Sequence, residues 1–495
     1  MVTTFAEQDR DDADADDDVP TVTVMLTMTL TNANLTSLPR FLPPDILQLD
    51  LRGNHIERIT DELESYSQLE MLDLSENWLV ALQPHAFSAL SRLRVLRLNR
   101  NAISSVQPST FANLSSLAVL YLNDNNLAYV PGGAFSDLGS LLTLDLSHNM
   151  LTSSRMTSVS FAGLSQLVTL VLGNNRLRLI PSSALKTLDK LIMLDLSYNI
   201  VENLRSTSFH GLKSLQELHL HDNEIDFVSD WALMGLPWLK KLTLYNNYLT
   251  YVPIDALKEL TRLEVLDMSG NRYDRIHPDS FTALPWLQHL RLNHCPLLKV
   301  VESHAFSSGL DGLRTLEIAS NAKLNQIATG AFAGLTSLDH VYLHDNQLIN
   351  LDAALLPWND LALVDLTRNP WRCDCDLSWM PAMMRAARNT THALLAMVTC
   401  NSPARMYKKV VRDTRASEYV CSYHPTDHRV IAAAVSVAAF LVVVVVVVFV
   451  YRARHNIGDR VKRRFRYRVF RDGQLSTVDD EMQRGDEAAQ SAEKL

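Results

Sequence analysis

The feature that most constrains the fold is a phrase, Leu-x-x-Leu-x-Leu-x-x-Asn-x-Leu, which recurs roughly every 24 residues along most of the chain. A unit of this length is too small to bury its own apolar side, so the units must stack and share one continuous core. The stack creates one long surface that is available for binding. The period therefore predicts a binding protein. The Asn position of repeats 1 to 14 falls at Asn54, Asn77, Asn101, Asn125, Asn149, Asn175, Asn199, Asn223, Asn247, Asn271, Cys295, Asn321, Asn346 and Asn369.

Alternation within a repeat predicts which side chains are buried. In the block 141–149, Leu144 and Leu146 point inward, whereas Asp145 and Ser147 point outward. The amide of the Asn that follows is expected to satisfy backbone groups of adjacent coils that would otherwise be buried unpaired. This wording resembles the leucine-rich repeat. The resemblance implies an α/β solenoid, a horseshoe with a parallel β-sheet on its concave side.

Two further positions complete the predicted core. Cys295 stands where the other repeats carry Asn, so we expect a buried structural thiol and not a reactive one. In the second half of most repeats a Phe recurs at one phase and is expected to form a stacked aromatic row beneath the convex side. These residues are Phe87, Phe111, Phe135, Phe161, Phe209, Phe281, Phe306 and Phe332, with Leu185, Leu233 and Leu257 at the same phase in three other repeats.

Four cysteines follow the repeats, at Cys373, Cys375, Cys400 and Cys421. The sequence allows three pairings among them, and a zinc site would lack the usual Cys-x-x-Cys spacing. The segment 369–379 with these cysteines resembles the C-terminal flanking module of extracellular leucine-rich repeat proteins, which caps the open end of the solenoid. That resemblance implies the pairs Cys373–Cys400 and Cys375–Cys421, and hence an oxidising compartment. In such a compartment Asn34, Asn113 and Asn389 are predicted glycosylation sites.

A transmembrane helix is predicted at 430–450, where no residue is charged. As a helix this segment is about 31 Å long, enough to cross the hydrocarbon core. Nine basic residues against Asp459 follow between positions 452 and 471. This asymmetry predicts a cytoplasmic tail and extracellular repeats, a single-pass type I protein of the plasma membrane.

The N-terminus has a different character. Residues 1–20 hold eight acidic side chains against Arg10 and show neither the basic nor the apolar region of a signal peptide. We therefore expect an incomplete N-terminus. The predicted domains are an acidic disordered segment at 1–20, a degenerate cap or first repeat at 21–45 that resembles half of an N-terminal flanking module without its cysteines, about fourteen repeats at 46–369, the flanking module at 370–425, the transmembrane helix at 430–450 and the tail at 451–495.

Catalysis is not indicated. The sixteen His residues form no triad or metal motif, and no glycine-rich phosphate loop is present. We expect no enzyme activity, no cofactor and no metal. A net charge of −9 with no broad basic face argues against nucleic acid as a partner. An Asp recurs at one outward-facing position of the strands. We interpret it as part of the ordinary repeat consensus on a solvent-exposed face. These residues are Asp50, Asp73, Asp145, Asp195, Asp267 and Asp365.

The strands whose outward-facing residues differ from this Asp-x-Ser pattern are predicted to form the ligand site. Tyr and Arg are enriched at binding hot spots, and five His residues on one face predict pH-sensitive binding. Ordinary surface variation is the alternative for any single residue, but the set favours the concave face of repeats 8–13. The candidates are Arg97, Tyr121, His219, His221, Tyr245, His289, Arg291, His340, Tyr342 and His344.

The repeats resemble the ectodomains of Toll, Slit and connectin-like proteins, and the tail is too short for a Toll-type signalling domain. The resemblance implies a cell-surface receptor or adhesion protein that binds an extracellular or membrane protein. Two alternatives stay open: a co-receptor or decoy for a signalling receptor, and a shed regulatory subunit or inhibitor. A homo- or heterodimer through the repeats is also compatible with the sequence.

Overall fold

The computed structural model describes residues 2–6, 24–306, 309–386, 393–420, 435–450 and 452. The contacts divide the chain into two units, 1–420 and 421–495. In the first unit each repeat adds one short strand to a growing parallel sheet, as the repeat period predicts. The strands are β1 (Val2–Ala6), β2 (Val24–Thr29), β3 (Gln48–Asp50), β4 (Met71–Asp73), β5 (Val95–Arg97), β6 (Val119–Tyr121), β7 (Thr143–Asp145), β8 (Thr169–Val171), β9 (Met193–Asp195), β10 (Asn203–Leu204), β11 (Glu217–His219), β12 (Phe227–Val228), β13 (Lys241–Thr243), β14 (Val265–Asp267), β15 (Arg275–Ile276), β16 (His289–Arg291), β17 (Val300–Val301), β18 (Thr315–Glu317), β19 (Gln326–Ile327), β20 (His340–Tyr342), β21 (Leu363–Asp365), β22 (Trp371–Arg372) and β23 (Cys400–Ser402).

The main sheet has sixteen strands among the described residues, in the order β1 to β9, β11, β13, β14, β16, β18, β20 and β21. From β2 onward every neighbouring pair is parallel and in the same register, so that equivalent residues of successive repeats lie side by side. The middle residue of each repeat strand, such as Leu96 or Leu242, is buried. The predicted leucine-rich repeat solenoid is therefore confirmed.

The second halves of the repeats contain short, irregular elements. Within the described residues, β10 pairs with β12, and β15, β17 and β19 form a small parallel sheet. Among the described residues, short helices include α1 (Ser182–Leu185), α2 (Ile254–Leu257) and, beyond the repeats, α3 (Met380–Ala386), and residues 393–395 are also helical. Short 3-10 helices lie at Asp61–Ser65, Ser153–Arg155, Ala353–Leu355, Cys375–Leu377, Ala404–Met406, Val411–Asp413 and Ala416–Glu418.

The predicted Asn ladder is present. Asn125 is typical: its Nδ2 donates to the carbonyls of Leu98 and Leu122 at 3.0 Å each, and its Oδ1 accepts the N–H of Ile103 at 2.9 Å. One side chain thus joins backbone groups of two coils. Since these groups are out of reach of water, each rung compensates for the cost of burying them.

The ladder is interrupted at repeat 11. Cys295 is fully buried, and its thiol lies 3.7 Å from the carbonyl oxygen of Leu292. Burial raises the pKa of this thiol to about 12, in agreement with the predicted structural role. Next to this rung, the hydroxyl of Tyr273 and the Nδ2 of Asn321 are buried without a hydrogen-bond partner among the described residues. The Cys rung therefore satisfies fewer buried groups than an Asn rung.

We predict that Cys295→Asn raises the free energy of unfolding by about 1–2 kcal/mol, since each added hydrogen bond contributes about 0.5–1.5 kcal/mol. The neighbouring Asn271 donates to the carbonyls of Leu244 and Met268 at 2.9 Å. An Asn at position 295 would repeat this pattern one coil further on. Urea denaturation of the purified protein measures the change. The reverse variant Asn271→Cys is the control and should lose stability; a loss in both variants would contradict the interpretation.

The predicted burial of the Phe row is confirmed, and its rings contact one another in two groups, Phe87–Phe111–Phe135 and Phe281–Phe306–Phe332. The eight Phe side chains are at most 2% exposed. Ring centroids are 6.1 Å apart between Phe87 and Phe111, and 5.3 Å apart between Phe281 and Phe306. Leu185, Leu233 and Leu257 are buried at the same phase. The second half of each repeat is therefore anchored by one large apolar side chain that packs on its neighbours.

The structure departs from the predicted disorder of 1–20 at Val2–Ala6. This segment forms β1 and pairs antiparallel with β2, with Val2 opposite Met28 and Ala6 opposite Val24. The first strand of a parallel array leaves a row of unpaired backbone groups, and a β-branched segment such as Val-Thr-Thr can satisfy them. The rest of 1–20 lies outside the described residues.

The end of the solenoid is closed by the flanking module. Trp371 is fully buried, and its Nε1 donates to the carbonyl of Leu366 at 3.0 Å. The predicted bridge Cys373–Cys400 is present, with Cα atoms 5.7 Å apart. Cys421 lies outside the described residues, so the pair Cys375–Cys421 stays a prediction. The module covers the last apolar layer, as a solenoid cap must.

In the second unit, residues 435–450 are helical and their side chains are exposed. Residues 430–434 of the predicted transmembrane helix lie outside the described residues. Within the part of the chain that the structure describes, no helix reaches both the length and the apolar character that crossing a membrane requires.

Candidate ligand-binding face

The recurring Asp residues of the concave face have a structural role. In β7, Oδ1 of Asp145 accepts the backbone N–H of Ser147 at 2.9 Å and its hydroxyl at 2.7 Å. Asp195 and Asp267 accept the N–H two residues on at 2.8 and 3.0 Å. Each carboxylate thus closes a turn at the end of its strand. Strands without this Asp are free to carry other side chains, and all ten candidate residues lie on or just after such strands.

Arg97 and Tyr121 occupy equivalent positions of the neighbouring strands β5 and β6. The Arg97 guanidinium lies 5.9 Å from the Tyr121 ring centroid, and its Nη1 is 3.3 Å from Oδ2 of Asp73. Together with Arg52 and Arg100 they line a concave depression of about 490 Å³. Since the three Arg residues face Asp73, Glu76 and Asp145, the depression has balanced charge and suits a polar ligand surface.

Repeats 7–9 bring four aromatic rings together, which we call the aromatic cluster: Tyr198, His219, His221 and Tyr245. The His221 ring stacks on Tyr245 with centroids 4.3 Å apart and an interplanar angle of 17°. Tyr198 and His219 meet the same ring edge-on, at 5.6 and 5.9 Å. Rings held in this way lose little entropy when a ligand covers them. The cluster joins three of the predicted residues and adds Tyr198.

Thr243 holds the two imidazoles of the cluster. Its Oγ1 lies 3.1 Å from Nδ1 of His219 and 3.0 Å from Nδ1 of His221. Since one hydroxyl has one proton, it donates to one ring and accepts from the other. Glu217 lies 3.5 Å from Nε2 of His219, which favours a proton on that nitrogen. The network therefore assigns His219 as the acceptor and His221 as the donor.

Burial lowers the pKa of both His219 and His221 below the ordinary value of 6.5. The negative charge of Asp195 partly offsets this by raising the pKa of both rings. For His219, Glu217 also raises the pKa and Lys241 lowers it. For His221, Asp222 and Asp267 also raise the pKa. Burial also raises the pKa of Tyr245 to about 12. At neutral pH both imidazoles and the Tyr hydroxyls of the cluster are therefore uncharged. The surface of the cluster is suited to an apolar or hydrogen-bonding ligand group.

The cluster predicts a stability that falls with acidification. Below pH 6.5 the unfolded chain takes up protons at His219 and His221 before the folded chain does, so the folded state loses stability until the lowered folded pKa is passed. The thermal midpoint of the wild type should fall across this window, and that of a His219→Asn/His221→Asn variant should fall less. His289→Asn, on the same face, is the matched control. Equal pH profiles for all three proteins would contradict the assignment.

Arg291 is held by its neighbours. Its Nε lies 3.0 Å from Oε1 of Glu317, and Asn293 donates to the second oxygen of that carboxylate at 2.9 Å. Asp267 on the other side is 4.0 Å from Nη1. The guanidinium is therefore fixed between two acidic strands. It can present its exposed edge to a ligand without losing these partners.

The remaining candidates are less connected. The rings of Tyr342 and His344 meet edge-on at 6.5 Å, and Nδ1 of His344 is 3.0 Å from Oδ2 of Asp345. His289 and His340 lie on the first residues of β16 and β20, and Thr315 separates them in the sheet. The structure thus brings the predicted residues together as neighbouring groups along one face, with the aromatic cluster as the most compact.

Sequence reasoning missed Tyr198 and Asp222. Each directly precedes a ladder Asn, at φ 52° and 53°, where the turn brings the side chain back to the rim of the concave face. Most residues at this position are small or polar, and a bulky aromatic in the left-handed region is unusual. That Tyr at position 198 was the available signal. Asp222 raises the pKa of Tyr198 by its charge.

The predicted modification sites stay predictions. Asn34 and Asn113 are both exposed. The Nδ2 of Asn113 donates to the carbonyl of Ser88 at 2.7 Å, a bond that a glycan at this nitrogen would have to replace or share. Asn389 lies outside the described residues. Among the residues that are described, no group of three or more His, Cys, Asp or Glu side chains is arranged to hold a metal ion.

Comparison with known proteins agrees with this geometry. The pattern described as "Leucine rich repeat" matches more than half of the chain, at 45–103, 91–151, 165–225, 194–249, 237–297 and 297–348. This chain belongs to the leucine-rich repeat family. Its repeat type and cysteine-bridged end are those of extracellular members of the family.

Curated relatives of this leucine-rich repeat protein match over single stretches. Chondroadherin of Rattus norvegicus is 36% identical over 113 residues, 23% of this chain and 30% of that protein. Trophoblast glycoprotein of Mus musculus is 32% identical over 115 residues, 23% of this chain and 26% of that protein. Vasorin of Mus musculus is 30% identical over 117 residues, 23% and 17% respectively. The chain thus spans less than a third of the length of each relative.

Solved structures share the fold. The APL1 leucine-rich repeat domain superposes with a TM-score of 0.58 at 21% identity, covering 76% of this chain and 92% of that one. The TLR13–ssRNA13 complex gives a TM-score of 0.54 at 22% identity, covering 76% and 61%. At these identities the likeness concerns the solenoid and not its ligands.

Proposed function

We propose that this leucine-rich repeat protein is a single-pass cell-surface receptor or adhesion protein that binds an extracellular protein through the concave face of repeats 8–13. The observation that carries the proposal is the aromatic cluster. Its four rings are fixed against one another, partly exposed, and uncharged at neutral pH. Rigid aromatic side chains, with Arg291 further along the same concave face, supply contact area and directed hydrogen bonds, which are the properties of a protein-binding hot spot.

The proposed membrane anchor is the segment 430–450. All 21 positions are uncharged, and nine basic residues follow between 452 and 471. The exposed Val and Phe side chains at 435–450 are of the kind that lipid would cover. The basic segment would hold the tail in the cytoplasm.

Binding is tested by screening the full chain, displayed on cells, against a panel of extracellular proteins. Against the partner so found, the variant Tyr245→Ala/Arg291→Ala/Tyr342→Ala is expected to weaken binding at least about 30-fold, since hot-spot truncations cost about 2 kcal/mol or more. The matched control is Thr143→Ala/Thr169→Ala/Val171→Ala, three concave substitutions in repeats 5 and 6.

Equal losses in the two triple variants would reject repeats 8–13 as the ligand site. A single-stranded RNA of random sequence serves as a second probe. RNA binding that is as tight as protein binding would reject a protein as the ligand class.

Topology is tested separately with an epitope tag placed after Leu495. The tag should be inaccessible to antibody on intact cells and accessible after permeabilisation, and the protein should stay in membranes after alkaline extraction. Release by alkaline extraction would contradict the anchor and leave the ligand-binding proposal standing.

A further inference from the structure

Repeats 8–12 carry a second surface, on the flank of the solenoid where each coil enters its strand. Trp238 and Trp286 lie three residues before β13 and β16 and are 47% and 64% exposed. Between them, at the same position of repeat 10, Arg262 stacks on the Trp238 ring at 3.9 Å from its centroid. The two exposed Trp side chains, with Arg262 stacked on one of them between the two, place large exposed apolar rings along one flank, and exposed aromatic and Arg side chains of this kind are enriched at interaction surfaces.

The order of residues along this flank is nearly the same in both directions. Consider the residues that precede β11, β13, β14, β16 and β18. The residue three positions before each strand is, in order, Ser214, Trp238, Arg262, Trp286 and Gly312. The residue four positions before each strand is Lys213, Pro237, Thr261, Pro285 and Asp311. Both rows have their centre in repeat 10. A second copy that is rotated by 180° about repeat 10 would therefore place Pro-Trp against Pro-Trp.

The charges along the flank fit the same rotation. Lys213 would face Asp311 of the second copy, and both side chains are exposed. In the central repeat the axis brings Arg262 next to its own copy, and Glu264, two residues further along each chain, supplies negative charge beside this Arg pair. Glu264 is paired with Lys240 at 3.4 Å on the surface of one chain, a contact that is weak in water and can be exchanged.

We propose that the flank of repeats 8–12 is an isologous homodimer interface with its two-fold axis at Thr261 and Arg262. The four half-exposed Trp side chains of the pair contribute on the order of 500 Å² of buried surface, about a third of a standard interface. Self-complementary charge and a palindromic apolar row are what a two-fold interface requires.

The flank is also free of predicted glycans. The sequons lie at Asn34, Asn113 and Asn389, and none occurs between positions 125 and 369. A glycan on this stretch would keep a second chain away. This face is distinct from the concave ligand site, so dimer formation leaves the ligand-binding surface accessible.

The position of the axis gives a direct test on the full chain in cell membranes. With a mild oxidant, Thr261→Cys should form a reducible covalent dimer, because a residue on a two-fold axis meets its own copy. Ser165→Cys is the matched control, since it has the same flank position four repeats away and is exposed. Equal cross-linking of the two variants would overturn the proposal.

Charge exchange tests the orientation. In the Thr261→Cys background, Lys213→Asp should reduce the cross-linked fraction, and Lys213→Asp/Asp311→Lys should restore it. Trp286→Ala should weaken dimerisation at least about tenfold, whereas Trp231→Ala, at a Trp that is 53% exposed elsewhere on the repeats, should not. The interface would be rejected if the charge exchange failed to restore cross-linking, or if Trp286→Ala and Trp231→Ala had equal effects. Trp286→Ala should leave ligand binding unchanged, so a loss of dimerisation can be told apart from a loss of the concave ligand site.

Discussion

Phe111→Ala is expected to lower the free energy of unfolding by about 3–5 kcal/mol, the cost of removing a fully buried Phe. The Phe111 side chain is 1% exposed and lies between Phe87 and Phe135, with ring centroids 6.1 and 6.0 Å away. Since a repeat contacts its neighbours alone, no distant side chain can fill the cavity. Urea denaturation of the purified protein, followed by circular dichroism, measures the loss.

A pair of Leu substitutions separates stacking from simple burial. Phe209 lies between repeats that carry Leu185 and Leu233 at this phase, so Phe209→Leu should cost less than about 1.5 kcal/mol. Phe111→Leu should cost about 0.5–1.5 kcal/mol more for each ring contact that is lost. Equal costs would show that ring stacking does not contribute, and a loss below about 1 kcal/mol for Phe111→Ala would contradict the core assignment.

Removal of the Cys373–Cys400 bridge is expected to cost about 3–4 kcal/mol, because the bridge closes a loop with a sequence separation of 27 residues. Both cysteines are buried, and the N–H of Cys373, directly after β22, donates to the carbonyl of Ser402 in β23 at 2.7 Å. Without the bridge this pairing loses its covalent support at the solenoid end. Thermal unfolding of Cys373→Ser and of Cys400→Ser measures the cost.

The double variant Cys373→Ser/Cys400→Ser is the control for this prediction. Since both single variants remove the same bond, the double variant should be about as stable as either one. Additive losses would mean that each cysteine contributes through packing and that the bridge itself contributes little. Hydrogen exchange should show the largest gain in opening at the last repeats, next to Trp371.

Much of the fold could be predicted because the decisive signal is local and repeated. The spacing of Leu, Asn and Phe appears in nearly every repeat, so an exception such as Cys295 did not obscure it. The strand β1 was not predicted, because its pairing depends on the free edge of β2, and an acidic segment next to it dominated the composition of 1–20.

The site was less accessible to sequence reasoning. Alternation placed His219, His221 and Tyr245 on the concave face, but it did not show that Thr243 holds both imidazoles or that Tyr198 completes the cluster. These contacts join residues that are 22 to 24 positions apart. They depend on which side chains of neighbouring coils face one another.

The sequence by itself determined the period, the buried positions and the cap, because each follows from the apolar pattern that a stack of coils must bury. The tertiary structure alone decided how surface residues combine. Lateral register set Trp238, Arg262 and Trp286 in one row, and the left-handed turn before the ladder Asn brought Tyr198 to the rim. The physical reason is that burial repeats in every coil, whereas a surface contact is made once, between particular neighbours.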